Sequence, residues 1–303
     1  MIPLHESSVL IVGLARDCER QLSGSIAIIR ESFSSARLLR FLIVESDSTD
    51  GTQEVLKRLA QENKNFNYAS LGHLQEQYPK RTDRIAFCRN HYLKLIENCS
   101  EYQDVDYVVI ADLDGVNNKL SSDAVATCWS RTDWDVCTAN QDGPYYDIWA
   151  LRHPLWSPND CWKQADFLKS QGAGRFKSIF SAVYSRMIRI ELCSGWIEVE
   201  SAFGGLGIYR KTVLQNVGYV GLTPNGEEYC EHVSLHQQIR QNGGRILINP
   251  RMTNAAVVEH VRNTTGLGLV RFWFRCQLQD LAERLRILSY LKQARSTLRG
   301  FFG

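Results

Sequence analysis

The segment YVVIADLDGVNN, residues 107 to 118, carries an apolar run into two carboxylates, Asp112 and Asp114, with one residue between them and Gly and Asn behind. Two like charges this close are best tolerated around a divalent cation, and a cation held there would bind phosphate oxygens. Asp and Gly also begin turns, so the pair alone leaves a plain turn open. Two further polar clusters follow apolar runs in the same way: Ala15-Arg16-Asp17 after SVLIVGL, and Glu45 to Thr52, which includes Asp47, after RFLIV. The string DSTDGT in the second would make a turn and a helix N-cap with no ligand present. Three such clusters at three strand ends favour one shared site over three separate turns.

The elements that position these clusters can be read from periodicity. SVLIVGLARD (8 to 17) reads as strand and loop, CERQLSGSIAIIRESF as helix, and RFLIVESDSTDGTQEVLKRLAQ as strand, polar turn and amphipathic helix. In that last helix Val55, Leu56 and Leu59 share an inner face while Lys57, Arg58 and Glu62 lie outside. FNYASL is a short strand, TDRIAFCRNHYLKLIENC another helix, and 107 to 111 the next strand. Strands alternating with helices of this length predict an α/β fold, a mostly parallel central sheet flanked by helices on both faces. Ligands of such sheets bind beyond the carboxyl ends of the strands, where all three clusters fall. Residues 152 to 177 carry few signals and predict a loop-rich insertion.

The chain of 303 residues, 44% hydrophobic, has ample material for a core in one large domain or two smaller ones. A formal charge of +2, with no Lys/Arg block in the main body, argues against nucleic acid as a partner. Nine scattered cysteines without a C-x-x-C suit reduced thiols in a cytoplasmic protein. The apolar run Val9 to Ala15 follows His5 and Glu6 rather than a basic region, so it predicts a first strand and neither a signal peptide nor a membrane span.

FLIVESDSTDGTQEVL resembles the second strand and turn of nucleotide-sugar glycosyltransferases of the GT-A fold, and ADLD then stands where that family carries its D-x-D metal motif. The resemblance implies that Glu45 bonds the base or ribose, that Asp50 starts the following helix, that Asp112 serves ribose and metal, and that Asp114 is a direct metal ligand. CEHVSLHQQIRQNGGRILINP (230 to 250) is similar to the family's helix of pattern E-D-x-x-L: Glu231 and Leu235 match, but His232 stands where inverting members carry an Asp base. In AAVVEHVR, His260 falls where many members supply a third metal ligand, and with Asp112 and Asp114 it would give the mixed N/O set that Mn²⁺ or Mg²⁺ accepts. Within the fold, RIAFCRNHYL, YDIWALR and CEHVSL look most like the capsule-associated α-mannosyltransferases of fungi and their bacterial relatives, which carries over Arg89, Asn90 and Asp147.

The implied activity is metal-dependent transfer of a sugar from a UDP- or GDP-linked donor to a glycan or lipid-linked glycan. Ala15, Arg16, Asp47, Arg89 and Asn90 would line the donor, and Gly204 and Gly205 in ESAFGGLGIYR would let backbone approach the sugar. Glu231 or His232 is the base if the reaction inverts; loss of the usual Asp tips the reading toward retention. A nucleotidyltransferase, or a non-catalytic sugar-nucleotide-binding module of the same fold, is the competing reading.

The expected domains are a catalytic one over 1 to 262, with a nucleotide-binding half to about 118 and an acceptor-binding half after it, and a basic amphipathic helical tail over 263 to 303. From Arg262 onward there are eight Lys/Arg against two Asp/Glu, a net +6 that leaves −4 on the first 261 residues. Phe274, Leu278, Leu281, Leu285 and Leu288 recur on one helical stripe. That stripe suits peripheral contact with the cytoplasmic face of a membrane, packing on the catalytic domain, or a homodimer.

Overall fold

The computed structural model describes residues 1–256, 261, 263 and 266–284. Its centre is one eight-stranded sheet built from β1 (Ser8–Ala15), β2 (Leu38–Glu45), β3 (Phe66–Ser70), β4 (Tyr107–Ala111), β5 (Val136–Gln141), β6 (Ile197–Val199), β7 (Leu206–Arg210) and β8 (Ile246–Ala255). The strand order is β3-β2-β1-β4-β7-β5-β8-β6. Around it lie α1 (Glu19–Ser32), α2 (Thr52–Glu62), α3 (Arg81–Asn98), α4 (Ser122–Ala126) and α7 (Glu231–Gln241). The expected α/β class, a central sheet flanked by helices, is the class observed.

Strands β1 to β4 are parallel, and β1, the second half of β2 and β4 are strongly apolar because both faces of this part of the sheet are covered. Val9, Leu10, Ile11 and Val12 are fully buried, as are Val108, Val109 and Ile110 beside them. Their shared direction brings the carboxyl ends of β1, β2 and β4 to one edge, with Ala15 level with Glu45 and Val12 with Ile110. β7 runs antiparallel between β4 and β5, pairing Leu206 with Ala111 and Thr138 with Gly207. Its reversed sense places its amino end, just after Gly204 and Gly205, at the same edge, and β5 delivers the segment that holds Asp147 there as well.

The sheet is therefore more mixed than the alternation of strands and helices predicts: β6 also runs antiparallel, to β8. Pairing of β4 with β7 makes the sheet continuous across residue 118.

The chain divides into two compact units, Met1–Pro158 with Arg189–Val258, and Asn159–Ile188 with Glu259–Gly303. The expected boundary at 262 takes no account of 159–188, which belongs with the C-terminal unit. Half of the stretch expected to be loop-rich is helical: α5 (Cys161–Ser170) is followed by the start of α6 (Arg175–Ala182). Asp160 caps α5 by accepting the N–H groups of Trp162 at 2.9 Å and Lys163 at 3.1 Å. Both helices are short; α5 packs on α6, and α6 packs on α8 (Gly266–Arg284), about a hundred residues on, so neither shows a long local period. There Phe272 meets Phe176 and Tyr184 at ring-centre distances of 5.5 and 4.9 Å. No helix among the described residues is long and apolar enough to cross a membrane. All nine cysteines are free.

Candidate active site

Arg89 falls in the buried stripe of α3 between Ala86 and Leu93, and a charge there must find partners. Its Nε donates to Glu231 Oε1 at 3.2 Å, and its Nη2 lies 3.7 Å from Asp112 Oδ1. Nη1 donates to the Tyr92 hydroxyl at 3.3 Å, which in turn donates to the Tyr219 hydroxyl at 2.9 Å. The guanidinium also stands 5.6 Å from the ring centres of both Phe203 and Tyr219. One cation thus joins the end of β4 to the first turn of α7.

Asp112 keeps 38% of its side chain accessible, with the Arg89 guanidinium 3.7 Å from its carboxylate. Burial pushes its carboxyl up to about 7; Arg89 pulls the other way, and the charges of Asp114, Asp147 and Glu231 add to the rise. Asp114 is exposed one turn outward, and its Oδ1 accepts the Val116 N–H at 3.3 Å. Asp147 accepts the Gly204 N–H at 3.0 Å and the Ala150 N–H at 3.4 Å. Gly205 carbonyl oxygen receives the Asp112 N–H at 2.9 Å and Asn117 Nδ2 at 3.1 Å.

The glycine pair is required by its geometry. Gly204 and Gly205 have φ of 68° and 87°, and added Cβ atoms would lie 2.7 Å from Gln141 Nε2 and 2.9 Å from Val116 Cγ1. Asn254 completes the weld, donating to the Gly204 carbonyl at 2.8 Å and to Asn117 Oδ1 at 2.7 Å.

His232 stacks on Phe203 with ring centres 3.7 Å apart. Burial, with Arg89 and His236 nearby, pushes it well below the usual histidine range, so the ring is neutral. Neither ring nitrogen has a hydrogen-bond partner among the described residues. One turn on, His236 is fully satisfied by Ser201 Oγ at 2.9 Å and the Tyr209 hydroxyl at 2.8 Å, and burial lowers it to about 3.

Asp112, Asp114, Asp147, Glu231, His232, Arg89, Gly204 and Gly205 therefore come together. Other residues picked out in the sequence are engaged elsewhere. Glu45, expected to face a nucleotide, is fully buried and turned inward: its carboxylate accepts from Ser48 N–H at 3.0 Å, Gln53 Nε2 at 3.1 Å and Ser70 Oγ at 2.5 Å. Asp47, at φ 59°, accepts the N–H groups of Leu74 and Gln75 at 2.8 and 3.0 Å and faces Arg84 at 3.5 Å. Burial would raise its pKa, but these N–H donors, Ser46 and Arg84 hold it below the usual range.

Asp50 starts α2 by accepting the Thr52 N–H at 3.0 Å, and it ties in α1 through the Glu19 N–H at 3.1 Å. Asn90 makes a reciprocal pair with the backbone of Tyr219, donating and accepting at 2.8 Å. Ala15 is buried at the end of β1; Arg16 is exposed, 3.5 Å from its neighbour Asp17 and from Gln75. His260 lies outside the described residues.

Tyr146 escaped the sequence reading. Burial first, and then the charges of Asp147, Asp112 and Asp114, push its hydroxyl well above the usual range, which sets it among the three carboxylates. The adjacent Asp147 was the only hint. Tyr219 and Asn254 gave no signal, since each acts through a partner more than a hundred residues distant.

Among the described residues no group of three or more His, Cys, Asp or Glu is arranged to hold a metal ion. The pair Asp112 and Asp114 nonetheless fits one electrostatically, for burial first, and then the charges of Asp114, Asp147 and Glu231, raise the Asp112 carboxyl, and a cation would relieve both. The hard oxygen donors suit Mg²⁺ or Mn²⁺.

No protein-family profile and no curated protein sequence matches the chain. Among solved structures the chain is similar to the mannosyltransferase PcManGT from Pyrobaculum calidifontis in complex with GDP-Man and Mn2+, at 14% identity over 84% of this chain and 59% of that one, TM-score 0.48. It is similar to S. aureus TarS 1-349 in complex with UDP-GlcNAc at 12% identity over 86% and 62%, TM-score 0.46. Glucosyl-3-phosphoglycerate synthase from Mycobacterium tuberculosis in complex with UDP gives 12% identity over 78% and 65%, TM-score 0.38. The chain spans less than two thirds of the length of each of these.

Proposed function

We propose that this chain is a metal-dependent glycosyltransferase of the GT-A type, moving a sugar from a UDP- or GDP-linked donor to a glycan or lipid-linked glycan, with retention at the anomeric carbon. The observation that carries the reading is the gathering of Asp114, Asp147 and Glu231 around Asp112 at the carboxyl edge of β4, with Arg89 bonded to Glu231 and beside Asp112. Such an edge is where open α/β sheets bind ligands, and excess negative charge there matches a divalent cation carrying a diphosphate.

Asp112 and Asp114 would hold the cation, with His260 as the expected third protein ligand. When bound, the cation would neutralise the charge that develops on the leaving diphosphate. Arg89 keeps Glu231 and Asp112 oriented, with Nε and Nη1 donating to Glu231 and Tyr92 and Nη2 facing Asp112. The Gly204-Gly205 turn brings backbone, rather than side chain, against the sugar. Asp147 holds that turn from one side and faces Asp112 from the other.

The state of the two candidate bases supports the reading of retention. Glu231 is bonded to Arg89, and His232 is a neutral ring lying flat on Phe203 with its proton affinity strongly reduced. Neither resembles a base free to take a proton from an acceptor hydroxyl, so that proton would pass to the departing phosphate oxygen.

The test is release of a nucleoside diphosphate from a panel of UDP- and GDP-sugars with Mn²⁺ or Mg²⁺, followed by the anomeric configuration of the product by NMR. Metal-dependent release that Asp114→Ala abolishes is expected, with an α-linked product from an α-linked donor. Pyrophosphate released from a nucleoside triphosphate and a sugar 1-phosphate, with no nucleoside diphosphate from the panel, would point to nucleotidyl transfer, and transfer unaffected by EDTA would remove the metal from the reading.

A further inference from the structure

Helix α8 is apolar on two opposite faces. One face is packed: Phe272 and Cys276 are buried, and Asp280 and Glu283 pair with Arg175, with Lys169 3.0 Å from Glu283. On the other, Leu267, Val270, Phe274, Leu278 and Leu281 fall within about 80° of arc at 3.6 residues per turn. Each of these five is between 48% and 76% exposed. Trp273 stands at the margin, edge-on to Phe274 at 4.8 Å, and Arg271 and Arg275 flank the stripe, both exposed. Isolated surface leucines are ordinary, whereas five in line on one helix form a face that needs covering.

We infer that this face of α8 lies on an anionic lipid surface, with Leu267, Phe274 and Leu278 among the acyl chains and Arg271 and Arg275 at the headgroup phosphates. The charge pattern selects the occupant. The acids of the helix are turned to the packed face, which leaves positive charge beside the exposed stripe. The sequence from Arg262 onward carries a net +6. Two copies pairing in parallel through the stripe would face like charge with like, because Arg271 shares the heptad position of Leu278. An anionic interface satisfies both features at once, since arginine stems extend toward phosphates while the apolar stripe sinks below them. The helix lacks the apolar content to cross a bilayer and lies in its plane. None of this depends on the glycosyltransferase reading.

The test is co-sedimentation of the full chain with phosphatidylcholine vesicles made with and without phosphatidylglycerol. Partitioning into the anionic vesicles is expected to be roughly 30-fold tighter, the effect of two arginines at such a surface, and to fall with salt. Phe274→Gln with Leu278→Gln should weaken it by roughly 100-fold. The far-ultraviolet circular dichroism should stay unchanged, because both side chains are exposed. Arg271→Gln with Arg275→Gln should abolish the preference for the anionic lipid. Equal binding to both vesicle types, or apolar variants that bind as the wild type does, would overturn the inference. So would a dimer in sedimentation equilibrium that the Phe274/Leu278 variant dissociates while vesicles go unbound.

Discussion

Replacing Arg89 with Met keeps the aliphatic stem and removes the charge that joins Glu231 to Asp112. The Arg89 to Glu231 contact of 3.2 Å corresponds to about 5 kcal/mol of Coulomb attraction at an effective dielectric near 20. Desolvation of both groups offsets much of that in the wild type. The variant recovers no solvation for Glu231, which is 7% exposed, and leaves its carboxylate facing that of Asp112. The second contact, at 3.7 Å, counts for less because Asp112 is 38% accessible. The net loss should be about 3 to 5 kcal/mol, the range for breaking one side of a buried pair. Urea denaturation followed by fluorescence and circular dichroism together measures it, and agreement of the two probes checks that one transition is being read. Glu231→Gln in the Arg89→Met background should return at least ~1 kcal/mol, since it removes the stranded charge. Mn²⁺ should raise the midpoint of Arg89→Met more than that of the wild type, because Glu231 and Asp112 then lack the cation that pairs with them. A loss below ~1 kcal/mol, or a double variant no better than the single one, would refute the clamp.

Gly205→Ala should cost about 1 to 3 kcal/mol and lower turnover, because φ is 87° and the new Cβ would lie 2.9 Å from Val116 Cγ1; thermal melting and diphosphate release measure the two effects. Glu45→Ala should lower stability by about 1 to 3 kcal/mol without ligand, since Ser48, Gln53 and Ser70 lose their acceptor, while calorimetry should find nucleotide affinity little changed. His236 titrates near 3 when folded and near 6.5 when unfolded, so the unfolded chain binds more protons between these values and stability falls as pH drops through that window. Its share at pH 5 is ~2 kcal/mol, which should appear as a pH dependence present in the wild type and missing from His236→Gln.

Strands β1, β2 and β4 were legible because burial on both faces writes itself as short apolar runs. The aspartates after β4 were legible because a strand end in such a sheet opens on the ligand edge. Glu45 ends its strand in the same way, but whether such an acid faces outward or inward depends on Ser70 of β3 and Gln53 of α2, which no local pattern reveals. Asn90 sits next to Arg89 in the helix, yet its amide is taken up by Tyr219, 129 residues away. The reversal of β7 was hidden for a related reason. A five-residue apolar strand reads alike in either direction, and only its partners β4 and β5 fix its sense.

That reversed strand also sets a timetable. During synthesis β4 emerges with one edge paired to β1, while its other edge waits for residues 206 to 210. The interval between Ala111 and Leu206 is about 95 residues, roughly 5 to 20 s at ribosomal rates. Throughout it an apolar strand presents open N–H and C=O groups beside β5, which cannot join the sheet without β7 between them. The carboxylate gathering is thus among the last features to form on the nascent chain, and a polypeptide stalled short of residue 206 would carry a ready template for pairing with its neighbours.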